Sequence, residues 1–219
     1  MDSKNTIAAI ALSSAVIVLY SLFFVPEKSS TSQNLAEKEK IAIAERVCDI
    51  ISDNSSVVLN IGTTTEQVAK TLVSTRKGLK IITNNINIVN IVAHSPNCEV
   101  WVAGGKLRTA DNAIIGSVAS DFIKNFKIDY AIVGVSAIDK EGTLLDFDHD
   151  ELMVTKTIYQ QSRKIILIAD ANKFERKAPY VTAHLKDVDT FVTDKKPSKE
   201  IVSVCKKNNV ELIISPPNS

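Results

Sequence analysis

The sequence predicts an α/β fold with a mostly parallel sheet, preceded by one transmembrane helix. Three observations point there. From residue 35 onward, short runs rich in valine and isoleucine alternate with segments of helical periodicity. Residues 6–25 form an apolar run with no charge, proline or glycine. One short apolar run ends in Gly62-Thr63-Thr64-Thr65 and passes straight into a helical segment. Strand–helix alternation is the mark of a sheet crossed by helices. A strand that closes on glycine and hydroxyls before a helix is built to hold an anion, because the first helical N–H groups lack partners.

Residues 6–25 read TIAAIALSSAVIVLYSLFFV. As a helix they would span about 30 Å, the thickness of a bilayer's hydrocarbon core. Tyr20 suits an interface, Pro26 stops the run and Glu27-Lys28 restores charge. No A-x-A cleavage site follows, so the run is expected to anchor the chain. Lys4 lies on one flank, and Lys28, Lys38 and Lys40 on the other. That count places the following body on the cytoplasmic side. The alternative is a buried core helix in a cytoplasmic protein. The expected division is an anchor at 1–28, a polar linker at 29–34 (SSTSQN) and one folded body at 35–219.

The body opens with a helix over 35–52, with Asn34 and Glu37 spaced as a capping box and Ile41, Ala44, Val47, Cys48 and Ile51 on one stripe. Strands are expected at 57–61, 79–82, 100–103, 130–135, 165–169, 190–193 and 211–214. Their continuous apolar character is that of parallel strands buried on both faces. Helices are expected at 66–73, 87–94, 118–126, 151–162 and 199–208.

The formal net charge is +1, from 26 Lys+Arg and 25 Asp+Glu, which argues against a broadly basic nucleic-acid-binding surface. Cys48, Cys98 and Cys205 are odd in number and far apart, which suggests neither a disulfide framework nor a zinc site. No cofactor and no metal are expected. The run Asp146-Phe147-Asp148-His149-Asp150-Glu151 lacks an EF-hand glycine pattern and reads as a solvated acidic loop before a helix.

Ligands of parallel α/β sheets sit beyond the carboxyl ends of the strands. That rule selects Gly62-Thr63-Thr64-Thr65, Thr83-Asn84-Asn85, Gly104-Gly105-Lys106, Gly134 to Ala137 with Asp139, and Asp170-Ala171-Asn172-Lys173. Together they offer N–H groups and an ammonium for phosphate, and amides and carboxylates for hydroxyls. Read singly, each has an ordinary structural explanation. Thr63 and Asn84 could cap helices, Gly105 and Asp139 could make turns, and Lys106, Arg108 and Lys173 could be surface charges.

The segments NIGTTTEQVA (60–69), ITNNINIVN (82–90), VAGGKLR (102–108), IIGSVASDFI (114–123), YAIVGVSAIDKEGTLLDFD (130–148) and ADANKF (169–174) closely resemble the C-terminal sensor domain of the DeoR family of sugar-metabolism repressors. TNNINI, and GTLLDFD before Glu151, are most similar to the glycerol-3-phosphate branch of that family. The resemblance implies a Rossmann-like sheet related to ribose-5-phosphate isomerase and CoA transferases. It implies a phosphorylated sugar or polyol as ligand, with glycerol 3-phosphate favoured, and a homo-oligomer. By the same resemblance Gly62, Thr63 and Thr64 hold phosphate. Asn84 and Gly105 line the pocket, and Asp139, Glu151 and Lys173 contact the hydroxyl end or the phosphate. Asn60 stands where the family usually has aspartate.

Family repressors carry an N-terminal winged helix-turn-helix. The residues before Leu35 show none, so no direct DNA binding by this chain alone is expected. Residues 1–28 instead resemble the N-terminal anchor of YidC-type membrane-protein insertases. Enzyme activity is not expected. The glycine-rich run that follows the catalytic acids of the isomerase is missing, as is the glutamate nucleophile of CoA transferases. An isomerase-like enzyme and a membrane-tethered metabolite-sensing module remain as alternatives.

Overall fold

The computed structural model describes residues 30–217. The chain divides into two compact units, Met1–Glu37 and Lys38–Ser219. Of the first, the described residues are the opening of helix α1 (Ser30–Ile50). That helix begins before the expected linker ends, so Asn34 and Glu37 sit inside it and form no N-terminal box. The expected membrane span at 6–25 lies outside the described residues. Among the described residues no helix is long and apolar enough to cross a membrane.

In the second unit α1 leads to β1 (Ser56–Leu59), α2 (Thr63–Thr75), β2 (Leu79–Thr83), α3 (Ile86–Val92) and β3 (Cys98–Val102). A short hairpin follows, β4 (Lys106–Arg108) and β5 (Ala113–Ile115), then α4 (Ser117–Ile123) and β6 (Ile128–Val133). Two further short strands, β7 (Ala137–Ile138) and β8 (Thr143–Asp146), precede α5 (His149–Gln161) and β9 (Ser162–Ile168). A 3₁₀ turn (Ala171–Phe174), β10 (Tyr180–His184), β11 (Thr190–Thr193), α6 (Lys199–Lys207) and β12 (Glu211–Ile214) complete the unit.

Seven strands form one sheet in the order β12-β11-β9-β6-β1-β2-β3. Every neighbouring pair in it is parallel, with Val57 beside Ile81 and Val58 beside Ala131 fixing the central register. These are the seven strands the apolar runs predict. Alternate residues of each strand face opposite sides. Val57, Leu59, Ile81, Ile132 and Ile166 pack with Ile43 and Val47 of α1 and Val68 and Leu72 of α2. Val58, Ile82, Ala131, Val133, Leu167 and Phe191 pack on the other side with Ile123 of α4, Val154 and Ile158 of α5, and Ile201 of α6. Complete burial of Ile43 and Val47 stabilises the α1 contact by about 1.5–3 kcal/mol each. All three cysteines are free thiols, with Cys48 and Cys205 buried.

Beyond the expected sheet lie the β4–β5 hairpin and a small antiparallel sheet, β10-β8-β7. Their strands run two to five residues. At two or three residues, β4, β5 and β7 are too short to show a hydrophobic period.

Candidate ligand-binding site

From β1 the chain steps outward through β2 to β3, then returns to the other side of β1 and continues through β6, β9, β11 and β12. The connections leaving β1 and β6 therefore diverge, and a crevice opens between the strand ends. A cavity of about 420 Å³ occupies it. One wall is Gly62, Thr63, Thr64 and Thr65 after β1; a second is Val135 and Ser136 after β6; a third is Ala169, Asp170 and Lys173 after β9. Arg108, Asp111, Asp146, Asp148 and Glu151 close the remaining side.

Gly62 sets the entry to α2. Its φ of +139° is a region L side chains avoid, and a Cβ there would meet the Thr65 hydroxyl at 3.0 Å. The first in-helix amide bond is Glu66 N–H to the Gly62 carbonyl, 3.0 Å. The N–H groups of Thr63, Thr64 and Thr65 thus have no i−4 carbonyl inside the helix. The Thr65 hydroxyl is buried and accepts or donates no hydrogen bond among the described residues. Lys173 is half-buried on the 3₁₀ turn that follows Asp170, whose carboxylate accepts from Asn172 N–H at 2.9 Å. Burial holds the Lys173 ammonium below its usual range against the pull of Asp170. Among the described residues Lys173 forms no ion pair.

Arg108 is in the opposite condition. Its Nε and Nη2 donate to both oxygens of Asp111 at 2.9 and 2.6 Å, Nη1 to Asp148 at 2.7 Å, and Nη2 to Glu151 at 2.7 Å. Asp148 also caps α5, its other oxygen accepting from Asp150 and Glu151 N–H. These hydrogen bonds outweigh burial, so the Asp148 carboxyl falls below its ordinary range. Hydrogen bonding to Arg108 likewise lowers Asp111. Glu151 moves the other way, up to about 7, because burial and then the nearby Asp146 charge oppose its ionisation. Arg108 pulls Glu151 down, yet Arg108 itself is driven further toward its charged form by all three carboxylates. The two directions are compatible: the guanidinium is shared among three acids, and Glu151, with a side chain 13% exposed, is the most buried of them.

Five of the eight expected site residues meet at this cavity: Gly62, Thr63, Thr64, Glu151 and Lys173. Asn84, Gly105 and Asp139 stand apart from its lining. Asn84 is fully buried, its side-chain Nδ2 donating to the Ile114 carbonyl at 3.0 Å and its backbone carbonyl accepting from Ile114 N–H at 2.7 Å, while its Oδ1 has no partner among the described residues. It grips β5 and does not line the cavity. A Cβ on Gly105 would lie 3.2 Å from Ile114 Cγ2 and 3.4 Å from the Ile115 carbonyl, so Gly105 lets the hairpin close onto β5. Asp139 makes the turn into β8, accepting from Thr143 N–H at 2.7 Å. Its alternative reading as a turn residue is the correct one. The acidic run is corrected in part: Asp146 is 6% exposed and accepts from Ser136 and from Phe147 N–H, and it lines the cavity with Asp148 and Glu151, while Phe147 and His149 are exposed as expected of a solvated loop. Asn60 lies behind the wall, its amide on the Thr155 hydroxyl at 3.1 Å.

Of the remaining lining residues, sequence reasoning left out Asp111, placed Thr65 and Ser136 on the strand-end segments without giving them a role, kept Asp146 and Asp148 in an acidic loop, and offered Arg108 as a surface charge. An acid three residues ahead of Glu151, at the N-cap position, was the available signal for Asp148.

The description "DeoR C terminal sensor domain" matches residues 35–195. The HTH-type transcriptional repressor CsqR of Escherichia coli (strain K12) is 38% identical over 177 residues, covering 81% of this chain and 67% of that protein. The chain belongs to the DeoR family. A second relative, the glycerol-3-phosphate regulon repressor of Escherichia coli (strain K12), is 36% identical over 175 residues, 80% of this chain and 69% of that protein. Among solved structures, eIF2B beta from Chaetomium thermophilum superposes at a TM-score of 0.54 and 14% identity, over 80% of this chain and 55% of that chain. That likeness is one of fold alone. The cavity of this DeoR domain lies within the matched residues.

Proposed function

We propose that the cavity is the effector site of this DeoR-family sensor and that it takes a phosphorylated sugar or polyol, glycerol 3-phosphate first. The supporting observation is the convergence of the open α2 N-terminus and an ammonium without an ion pair on one crevice at the strand switch. A phosphate dianion suits both, since helix N–H groups and a point cation stabilise it together. Thr63 and Thr64 supply hydroxyls beside it. Glu151 and Asp146 line the same cavity, where hydroxyls of the ligand would donate. The similarity to the glycerol-3-phosphate regulon repressor supports that choice of ligand.

An isomerase reading draws on Glu151, a carboxyl near pH 7 in a phosphate-sized cavity. Its Oε2 is held by Arg108 at 2.7 Å, which occupies a base rather than freeing it. We therefore favour sensing without turnover. Residues 6–25 we read as an anchor that tethers the sensor to a membrane on the cytoplasmic side.

Calorimetric titration of the full chain in detergent, with glycerol 3-phosphate, ribose 5-phosphate and inorganic phosphate, tests the reading. Saturable binding of glycerol 3-phosphate, tighter than inorganic phosphate, is expected. Ribose 5-phosphate is expected to emerge unconverted. Ketose formation would restore the enzyme, and no binding of any of the three would remove the effector site.

A further inference from the structure

We propose that the acidic wall of the cavity selects against a second anion, so that the site admits phosphomonoesters ending in hydroxyls and rejects those ending in a carboxylate or another phosphate. This rests on the effector-site reading above and names the feature that narrows its ligand class. Asp111, Asp146, Asp148 and Glu151 all line the cavity, and one guanidinium serves three of them. All but one of the Arg108 N–H donors are already committed to three of these acids. Arg108 is thus a poor host for an incoming carboxylate, although it is a cation facing the site. Lys106, on the same hairpin, points its charge to Asp150 at 3.4 Å with a side chain 73% exposed, and it is not part of the lining.

Acceptor capacity, in contrast, is spare. Asp146 uses Oδ1 for Ser136 and Phe147 N–H, and Glu151 uses Oε2 for Arg108. Asp146 Oδ2 and Glu151 Oε1 accept no hydrogen bond among the described residues. Asp146 is close enough that its charge, after burial, is the next cause of the rise in Glu151. A second carboxylate placed here would meet that repulsion, while Lys173, the cavity cation without an ion pair, is engaged by the phosphate. Hydroxyl groups would instead donate to the idle oxygens. Thr65 belongs to the cavity lining, with its hydroxyl buried and without a partner among the described residues.

Glycerol 3-phosphate and 3-phosphoglycerate form a matched pair: the same phosphate and carbon chain, with a terminal hydroxymethyl replaced by a carboxylate. Calorimetric titration of the full chain with both, and with inorganic phosphate, reads the preference. Glycerol 3-phosphate is expected to bind at least tenfold tighter than 3-phosphoglycerate. In Asp146→Asn, whose amide oxygen still accepts from Ser136 and Phe147, the ratio is expected to narrow at least threefold, and likewise in Glu151→Gln. Equal affinities in the unaltered chain, with phosphate bound, overturn the selection and leave the effector site standing. A ratio unchanged in both variants, each folded by circular dichroism, overturns the assignment to the acidic wall. Failure of all three ligands to bind removes the effector site and this inference together.

Discussion

Two cations face the cavity in opposite states of pairing, and their predicted roles differ accordingly. Arg108 holds three acids in place and is a strut. Lys173 has a buried, depressed ammonium and no carboxylate bonded to it among the described residues. Lys173→Ala, and Thr63→Ala beside the open helix end, should each weaken glycerol 3-phosphate binding at least tenfold, about 1.4 kcal/mol. Calorimetry reads this, and unchanged affinity in both variants would count against the pocket. Glu151 carries a pH signature of its own. Its folded carboxyl titrates at about 7, above the ordinary 4.5, so between those values the folded state binds more protons than the unfolded one. Its contribution therefore falls as pH rises through that window and is fully unfavourable above it. Relative to Glu151→Gln, the native chain should lose on the order of 1–3 kcal/mol between pH 4.5 and 7.5. Urea midpoints across pH measure the difference, and parallel curves for the two proteins would refute it. Of these residues Gly62, Thr63, Thr64 and Lys173 were legible in the sequence, because each follows a strand the apolar runs reveal. Arg108 was not, because Asp148 and Glu151 lie 40 and 43 residues further along the chain and only folding brings them together.

At the scale of elements, the hairpin β4–β5 carries the strut. Asn84 grips β5 from both its side chain and its backbone, and Gly105 allows the close approach. Both were selected as ligand contacts, and both act one step removed. Gly105 has φ +142°, so Gly105→Ala adds a crowded methyl to a strained backbone, at a cost of about 1–3 kcal/mol. The variant should melt several degrees lower and also bind glycerol 3-phosphate more weakly, since Arg108 moves with the hairpin. A lower melting point with unchanged affinity would separate Gly105 from the site. The sheet itself was readable from its seven apolar runs, because strands buried on both faces must be apolar throughout. The hairpin and the β10-β8-β7 sheet were hidden because pairing across such short strands is set by tertiary contacts.

At the scale of the whole molecule, the topology explains why the site is where it is. The strand order turns at β1 and β6, so the crevice is a product of connectivity, and the sequence lines it with hydrogen-bond donors and with acids. A ligand that binds only the folded state should raise stability by about 2.7 kcal/mol at a hundred times its dissociation constant. Thermal unfolding with glycerol 3-phosphate would show this as a shift of a few degrees, absent with unphosphorylated glycerol. Equal shifts with both would deny the phosphate its role. The central claim is that the α2 N-terminus and Lys173 together seat a phosphate. A crystal structure of the glycerol 3-phosphate complex tests it most directly. The account predicts phosphate oxygens within about 2.7–3.2 Å of the Thr63–Thr65 amides and of Lys173 Nζ. Phosphate bound elsewhere, with this crevice filled only by solvent at a saturating concentration, would contradict it.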